Sequence, residues 1–464
     1  MNIFEFFHML GSNAWIYGGT FLLVLGILVF VHEWGHYIAA KICGVKVEIF
    51  SVGFGKELFG FNDKSGTRWK ICLIPLGGYV KLFGDVDPAS VKHIDGVADP
   101  ASGAVRALTP EERKAAFFAK AVWKRAIIVA SGPGINYVFA IILLTCLFSF
   151  NGQPTTPPIG AAIVGGSAAD EYGFKPHDQV ISIDGRKIKD FEDIRREMTI
   201  SLDQPRVFKV NRGNETITIK ARPKKMELQD RFGFKHSRGM LGLISARHAV
   251  DIKNIQSVAG RAYTDPEKVR EALLAKMGST FKIEVKNGSV VDVLTVHPSA
   301  QYNEALKTAD PLEPKSTLLL VTDMDISQAL VKYSPIEAVG EAIEQTWEVT
   351  LGTLEAIGQM IMGTRSTTEL GGVIRIGALA GDMAQQGLIA LVFFTALLSI
   401  NLGLVNLFPI PVLDGGHLVF YAFEAILGRP VPDKIQEYAF QFGLTFLVCI
   451  MVYANLSDIM QLIL

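Results

Sequence analysis

His32-Glu33-Trp34-Gly35-His36 continues, without a break, the apolar run Phe21-Leu22-Leu23-Val24-Leu25-Gly26-Ile27-Leu28-Val29-Phe30-Val31. On a helix, histidines at i and i+4 share one face. That spacing holds one zinc ion, with the Glu placed to act on a bound water. An ionisable side chain at membrane depth costs on the order of several kcal/mol unless it meets a partner or a cavity. Three of them on one apolar helix therefore point to chemistry: a metalloprotease whose zinc lies in or near the bilayer.

Working outward, the 464-residue chain is 49% hydrophobic and 20% charged. Its net charge of −1 gives no bulk reason to expect nucleic acid. Met1 to Ser12 lacks the basic start of a cleavable signal peptide, so the first apolar stretch reads as a retained span. Four segments pass the span-length test: Trp15 to Ile42, Ala126 to Phe150, Leu388 to Phe408 and Tyr438 to Leu464, the last carrying only Asp458 as a charge. Residues 1–15 hold no Lys or Arg, whereas 41–124 hold 13, and Arg429 and Lys434 lie between the last two spans. The positive-inside rule then puts 41–124 and 409–437 in the cytoplasm and 151–387 outside. The outside region has no cysteine and must fold without disulfides.

Two stretches outside align. Asp178 to Arg186, Asp190 to Met198 and Arg206 to Ile219 match Asp251 to Arg261, Asp265 to Leu273 and Phe281 to Val296. Each reads as strand, turn, short capped helix and hairpin. Asp190 and Asp265 are N-cap candidates, Pro266 suits a first helical position, and Asn287-Gly288 is a hairpin turn. This order resembles the circularly permuted PDZ domains of bacterial proteases. The resemblance implies capture of peptide C-termini by strand addition, at least by the first copy, which includes the strand Ile159 to Val164. The second copy departs further from the pattern. The competing reading makes both copies steric lids.

A zinc site needs a third protein ligand. Asp414 is the best candidate, in Asn406-Leu-Phe-Pro409-Ile-Pro411-Val-Leu413-Asp414-Gly415-Gly416-His417, where two prolines break the helix after the third span. With this run added, the chain resembles the site-2 protease family, in its bacterial sigma-E-regulating branch. The implied fold is a polytopic α-helical membrane protein of four transmembrane helices. An α+β extracytoplasmic region of two permuted PDZ-like domains and a membrane-associated β-hairpin complete it. The expected divisions are 1–42 with the zinc motif, 43–125 as the cytoplasmic loop with the hairpin, and 126–150 as the second span. PDZ-like units at 151–225 and 226–300 follow, then a linker and amphipathic helix at 301–387. The third span is 388–408, the loop with the Asp ligand 409–437, and the last span 438–464.

The resemblance implies one zinc ion on His32, His36 and Asp414, Glu33 as catalytic base, and Asn406 against the substrate backbone or oxyanion. It implies single-pass transmembrane substrates, namely an anti-sigma factor already cut outside and signal-peptide remnants, in a bacterial inner membrane with the PDZ-like units periplasmic. Gly53, Gly55, Gly77 and Gly78 belong to the loop hairpin, which either pairs with an unwound substrate or is an ordinary surface sheet. Ser131-Gly-Pro-Gly-Ile-Asn136 interrupts the second span, and Asn136 reads as a substrate contact or a bond to a neighbouring helix. Ser334 to Met362 carries an apolar stripe at helical spacing, an amphipathic helix for the outer membrane surface. A proteolytically silent PDZ-bearing scaffold is the alternative, and the intact His-Glu-His-Asp set argues against it.

Overall fold

The computed structural model describes residues 13–84, 96–98, 105–246, 248–288, 290–308, 316–320 and 330–463. The chain start at 1–12, parts of the 43–125 loop and of the 301–387 linker, and Leu464 lie outside them. Among the described residues, four helices are long and apolar enough to cross a membrane: Trp15–Ile42, Val122–Phe150, Leu388–Asn406 and Asp433–Ile463.

Helix α1 (Ala14–Ile42) leads into strands β1 (Val47–Asn62) and β2 (Arg68–Leu82). The hairpin is folded back on itself. Ile49 to Val52 faces Gly78 to Lys81 on one side and Arg68 to Ile71 on the other, while Glu57 to Asn62 pairs with Arg68 to Cys72. The bends fall where Gly53 (φ +91°), Gly55 (φ +84°) and Gly77 (φ +136°) take backbone conformations that side chains disfavour. Asp63 organises the turn, accepting from the Ser65 and Thr67 amides at 2.8 and 2.9 Å. The Tyr37 hydroxyl donates to the same carboxylate at 3.0 Å and ties the turn to α1.

Helix α2 (Val122–Phe150) runs without interruption through Pro133. The expected break at Ser131–Asn136 is therefore corrected. Inside a bundle, neighbouring helices support a proline that a lone helix would not tolerate. Here the Ser131 hydroxyl donates to Gly35 O of α1 at 2.9 Å.

Beyond α2 comes one large sheet. Its strands are β3 (Ile159–Val164), β4 (Asp178–Ile183), β5 (Arg206–Arg212) and β6 (Glu215–Ala221), with helix α3 (Phe191–Ile200) across them. A projecting hairpin follows, β7 (Lys224–Gln229) with β8 (Lys235–Met240), and then β9 (Leu243–Ser245). The second repeat supplies β10 (Ile255–Val258), helix α4 (Pro266–Leu274), β11 (Phe281–Asn287) and β12 (Val290–Val296). The order is β6-β5-β4-β3-β12-β11-β10. Asp190 caps α3 in a capping box, Asp265 caps α4 with Pro266 first in the helix, and Asn287-Gly288 turns between β11 and β12.

The two repeats are thus joined through β3, whose Ile163 enters one core and Ala161 and Ala162 the other. The first core also takes in Leu241, and β9 pairs back onto β3. Leu243 packs on the first core and Ile244 on the second, so β9 lies across the join between the two repeats.

Helix α5 (Pro335–Ile361) turns its small and polar face, including Ala338, Ala342, Thr346 and Thr350, inward against α2. Its apolar stripe, with Ile336, Ile343 and Trp347, is exposed, as expected of a helix lying against lipid. Then come α6 (Val373–Gln386), α7 (Leu388–Asn406), α8 (Asp414–Leu427) and α9 (Asp433–Ile463). The charge within the apolar run of the last span is buried: Asp458 accepts from the Gly372 and Arg375 amides at 2.8 and 3.2 Å and lies 3.4 Å from the Arg375 guanidinium. The tip of the β7–β8 hairpin plugs into this corner. Phe232 and Phe234 are each 1% exposed, packed with Tyr17, Ala378 and Leu462.

Candidate metal centre

The helical spacing of His32 and His36 brings their Nε2 atoms to 3.2 Å. Asp414 Oδ2 stands 3.2 Å from His32 Nε2 and 3.6 Å from His36 Nε2. Zinc bonds of 2.0–2.1 Å at tetrahedral angles set their ligand atoms about 3.3 Å apart. The three atoms therefore occupy three corners of a zinc tetrahedron and leave the fourth free. Asp414 Oδ2 is buried and has no hydrogen-bond partner, which a cation at that point would correct. Two imidazoles and one carboxylate are also the donor set that suits catalytic zinc. The residues present fit the ion.

Chain breaking by Pro409 and Pro411 makes the Asp414 corner possible. The chain ends α7 at Asn406, turns, and starts α8 at Asp414. Gly415 and Gly416 lie against the Leu407, Phe408 and Ile410 carbonyls, where a Cβ would collide. Burial pushes the Asp414 carboxyl up, but the two imidazoles outweigh it and hold the group well below the usual carboxylate range. His417, one turn along, is pushed down by burial despite the Asp414 charge. It lines the cavity but is not part of the triad.

Glu33 is 8% exposed beside the triad, and β2 passes alongside it at Gly78 and Val80. That approach depends on Gly78, where a Cβ would meet Ser51 O, Val29 Cγ1 and Glu33 Cγ at 2.7–3.0 Å. The site opens into a cavity of about 450 Å³, whose lining includes Phe117, Tyr421 and the Arg125–Glu424 ion pair (2.6 Å).

The other residues singled out in the sequence fall in three places. Asn406 ends α7, half-buried, and is not among the residues lining this cavity. Asn136 is fully buried, its amide nitrogen 3.2 Å from His32 Nδ1. Gly78 touches the site, while Gly53, Gly55 and Gly77 form the bends of the hairpin.

Sequence reading missed what α2 contributes. Ile128 O lies 2.9 Å from His36 Nδ1. A Cβ on Gly132 would sit inside the His36 ring and 3.0 Å from His32 Cε1. The signal was present: Ile128, Gly132, Asn136, Ala140, Leu144 and Phe148, every fourth residue, are all buried. Such a row marks one packed helix face.

Comparison with known proteins agrees with this geometry. Residues 20–450 match the model of peptidase family M50. A protein of Agrobacterium fabrum provisionally named a zinc metalloprotease is 35% identical over 443 residues, 96% of this chain and 95% of its own. A similarly named protein of Rhizobium meliloti is 34% identical over 440 residues, 95% of each chain. The regulator of sigma E protease of Haemophilus influenzae is 31% identical over 466 residues, 96% of this chain and 98% of its own.

Proposed function

We propose, from the premise that the chain belongs to peptidase family M50 and is a zinc metalloprotease of the membrane, that it cuts the transmembrane segments of single-pass proteins. The observation that supports this most is the donor triad, set on an apolar span with Glu33 beside it and a cavity in front.

In this reading His32, His36 and Asp414 hold the zinc. The ion would polarise the scissile carbonyl and bring a bound water's pKa toward about 7. Glu33 takes the water's proton and returns it to the leaving amide nitrogen. Asn406, at the end of α7, is assigned to the substrate backbone.

A transmembrane helix hides its carbonyls in hydrogen bonds and must unwind before it is cut. The β1–β2 hairpin, beside Glu33, offers backbone for that exchange. We place loops 41–124 and 409–437 in the cytoplasm and the large sheet in the periplasm, following the charge bias. We assign the two repeats to permuted PDZ-like units that exclude substrates with bulky outer domains. The substrates are then an anti-sigma factor already trimmed outside and remnant signal peptides. We assign the end of a bound peptide, in the first unit, to a cleft between α3 and residues 238–245, lined by Phe191, Ile194, Met198, Leu241 and Leu243.

The test is cleavage of a tagged single-span substrate by wild type, Glu33→Gln and Asp414→Ala in the same membranes. Wild type cuts, a zinc chelator stops it, and both variants fail. Cutting by Glu33→Gln at the wild-type rate would overturn the mechanism.

A further inference from the structure

Both zinc-ligand histidines are addressed by α2, but in different ways. His36 presents Nδ1 to a backbone carbonyl, Ile128 O, at 2.9 Å. His32 presents Nδ1 to the side-chain amide of Asn136 at 3.2 Å. A histidine that gives Nε2 to a metal carries its proton on Nδ1, so the group facing Nδ1 must accept. Ile128 O meets that demand. The Asn136 amide meets it through Oδ1, which a half-turn of the amide plane puts where Nδ2 stands. With Nδ2 on His32, Oδ1 is buried and has no hydrogen-bond partner. The half-turn gives Oδ1 a donor and gives His32 the tautomer that leaves Nε2 free for the metal.

Asn136 is also held as a positioning group should be. It is 0% exposed, and its own carbonyl accepts from the Ser399 hydroxyl of α7 at 2.8 Å. Ser399 is itself 0% exposed. The span carrying Asn136 is thus also tied to α7. Nothing in this arrangement leaves the amide open to a substrate.

We infer that Asn136 is a positioning residue for the zinc ligand His32, accepting its Nδ1 proton, and not a substrate contact. This rests on the zinc-site reading above. The arrangement makes the two ligands unequal: no side-chain substitution removes the Ile128 carbonyl, whereas Asn136 can be changed alone.

The experiment measures zinc affinity of the full-length purified protein by chelator competition, for wild type, Asn136→Asp and Asn136→Leu. Thermal unfolding of the three metal-free proteins runs alongside. Loss of a partner to a metal-bound histidine lowers metal affinity roughly 10–100-fold. Asn136→Leu is expected to fall by that factor, and Asn136→Asp, which still accepts, to stay within about threefold of wild type. Turnover at saturating zinc should drop less in Asn136→Leu than its zinc affinity does. Unchanged zinc affinity in Asn136→Leu, with a raised KM, would overturn the inference in favour of substrate contact. Equal losses in both variants, tracking equal losses in metal-free stability, would overturn it in favour of simple packing. Failure of wild type to bind one zinc would instead remove the zinc site itself, and this inference with it.

Discussion

The metal centre and the seam between the large sheet and α5 are both contacts between distant parts of the chain, yet they are built from opposite materials. At the metal centre the elements meet through missing side chains. Gly35 of α1 lies on Ser131 O, Gly132 of α2 under the histidine rings, and Gly78 of β2 against Glu33. At the seam the elements meet through charge. Arg196 and Arg186 reach Glu348, Lys189 reaches Glu341 and Glu344, and Arg206 reaches Glu355 at 3.3 Å. Steric fit is short-ranged and indifferent to salt, and it tolerates no added atoms. Surface ion pairs are individually weak, about 0–1 kcal/mol, and are screened by salt. The first kind of contact fixes reacting groups to fractions of an ångström. The second joins the sheet to α5 through contacts that salt can weaken.

The largest expected effect tests the steric side. Gly132→Val drives a side chain into the His36 ring, so zinc content should fall well below one per chain and turnover by at least about 10²-fold. Helix content by circular dichroism should be kept. A Gly132→Val protein with full zinc and normal turnover would show that the site does not depend on this fit.

Gly78→Val separates the base from the metal. It should push the hairpin off Glu33, lowering kcat roughly 10- to 100-fold with zinc content unchanged. If zinc is lost in parallel, the hairpin supports the ligands as well as the base.

Smaller effects belong to the seam. Glu348→Arg removes two pairs and adds repulsion, loosening the first repeat from α5 by about 1–2 kcal/mol. Amide hydrogen exchange in α3 should quicken accordingly while zinc affinity stays put. Substrates that keep a folded outer domain should then be cut several-fold faster. No change in that selectivity would detach the ion pairs from substrate exclusion.

The smallest effect needs no mutation. Raising salt from 0.05 to 0.5 M shortens the screening length from about 14 to about 4 Å. Exchange in α3 should rise in wild type and hardly at all in Glu348→Arg, with zinc affinity changing less than about twofold in both. Equal salt responses in the two proteins would mean that the seam is not held by charge.

Legibility in the sequence follows the range of the interaction. His32, Glu33 and His36 are one helical turn apart, so their convergence needs only a helix. The caps Asp190 and Asp265 and the turn Asn287-Gly288 are equally local, and each stands where the pattern put it. The apolar stripe of α5 was visible as periodicity, though periodicity does not say which face is covered. In this helix the small and polar face is the packed one. The run Ser131–Asn136 misled, because glycine and proline weaken an isolated helix and here mark the surface on which α1 lies. The aromatic tip of the β7–β8 hairpin carried no pattern that names Tyr17 or Leu462 as its neighbours.

By itself, then, the sequence determined the four apolar helices, the chemistry of the zinc motif and the repeat between the second and third of them, since each depends on residues a few positions apart. The tertiary structure alone decided four things. It set Asp414 Oδ2 at 3.2 Å from His32, brought Val80 of β2 to the cavity beside Glu33, turned Asn136 toward Nδ1 and joined both repeats into one sheet through β3. These contacts join residues 47 to 382 positions apart. Their distances are set by how closely whole helices and strands can approach, which is a property of the packed chain and not of any segment within it.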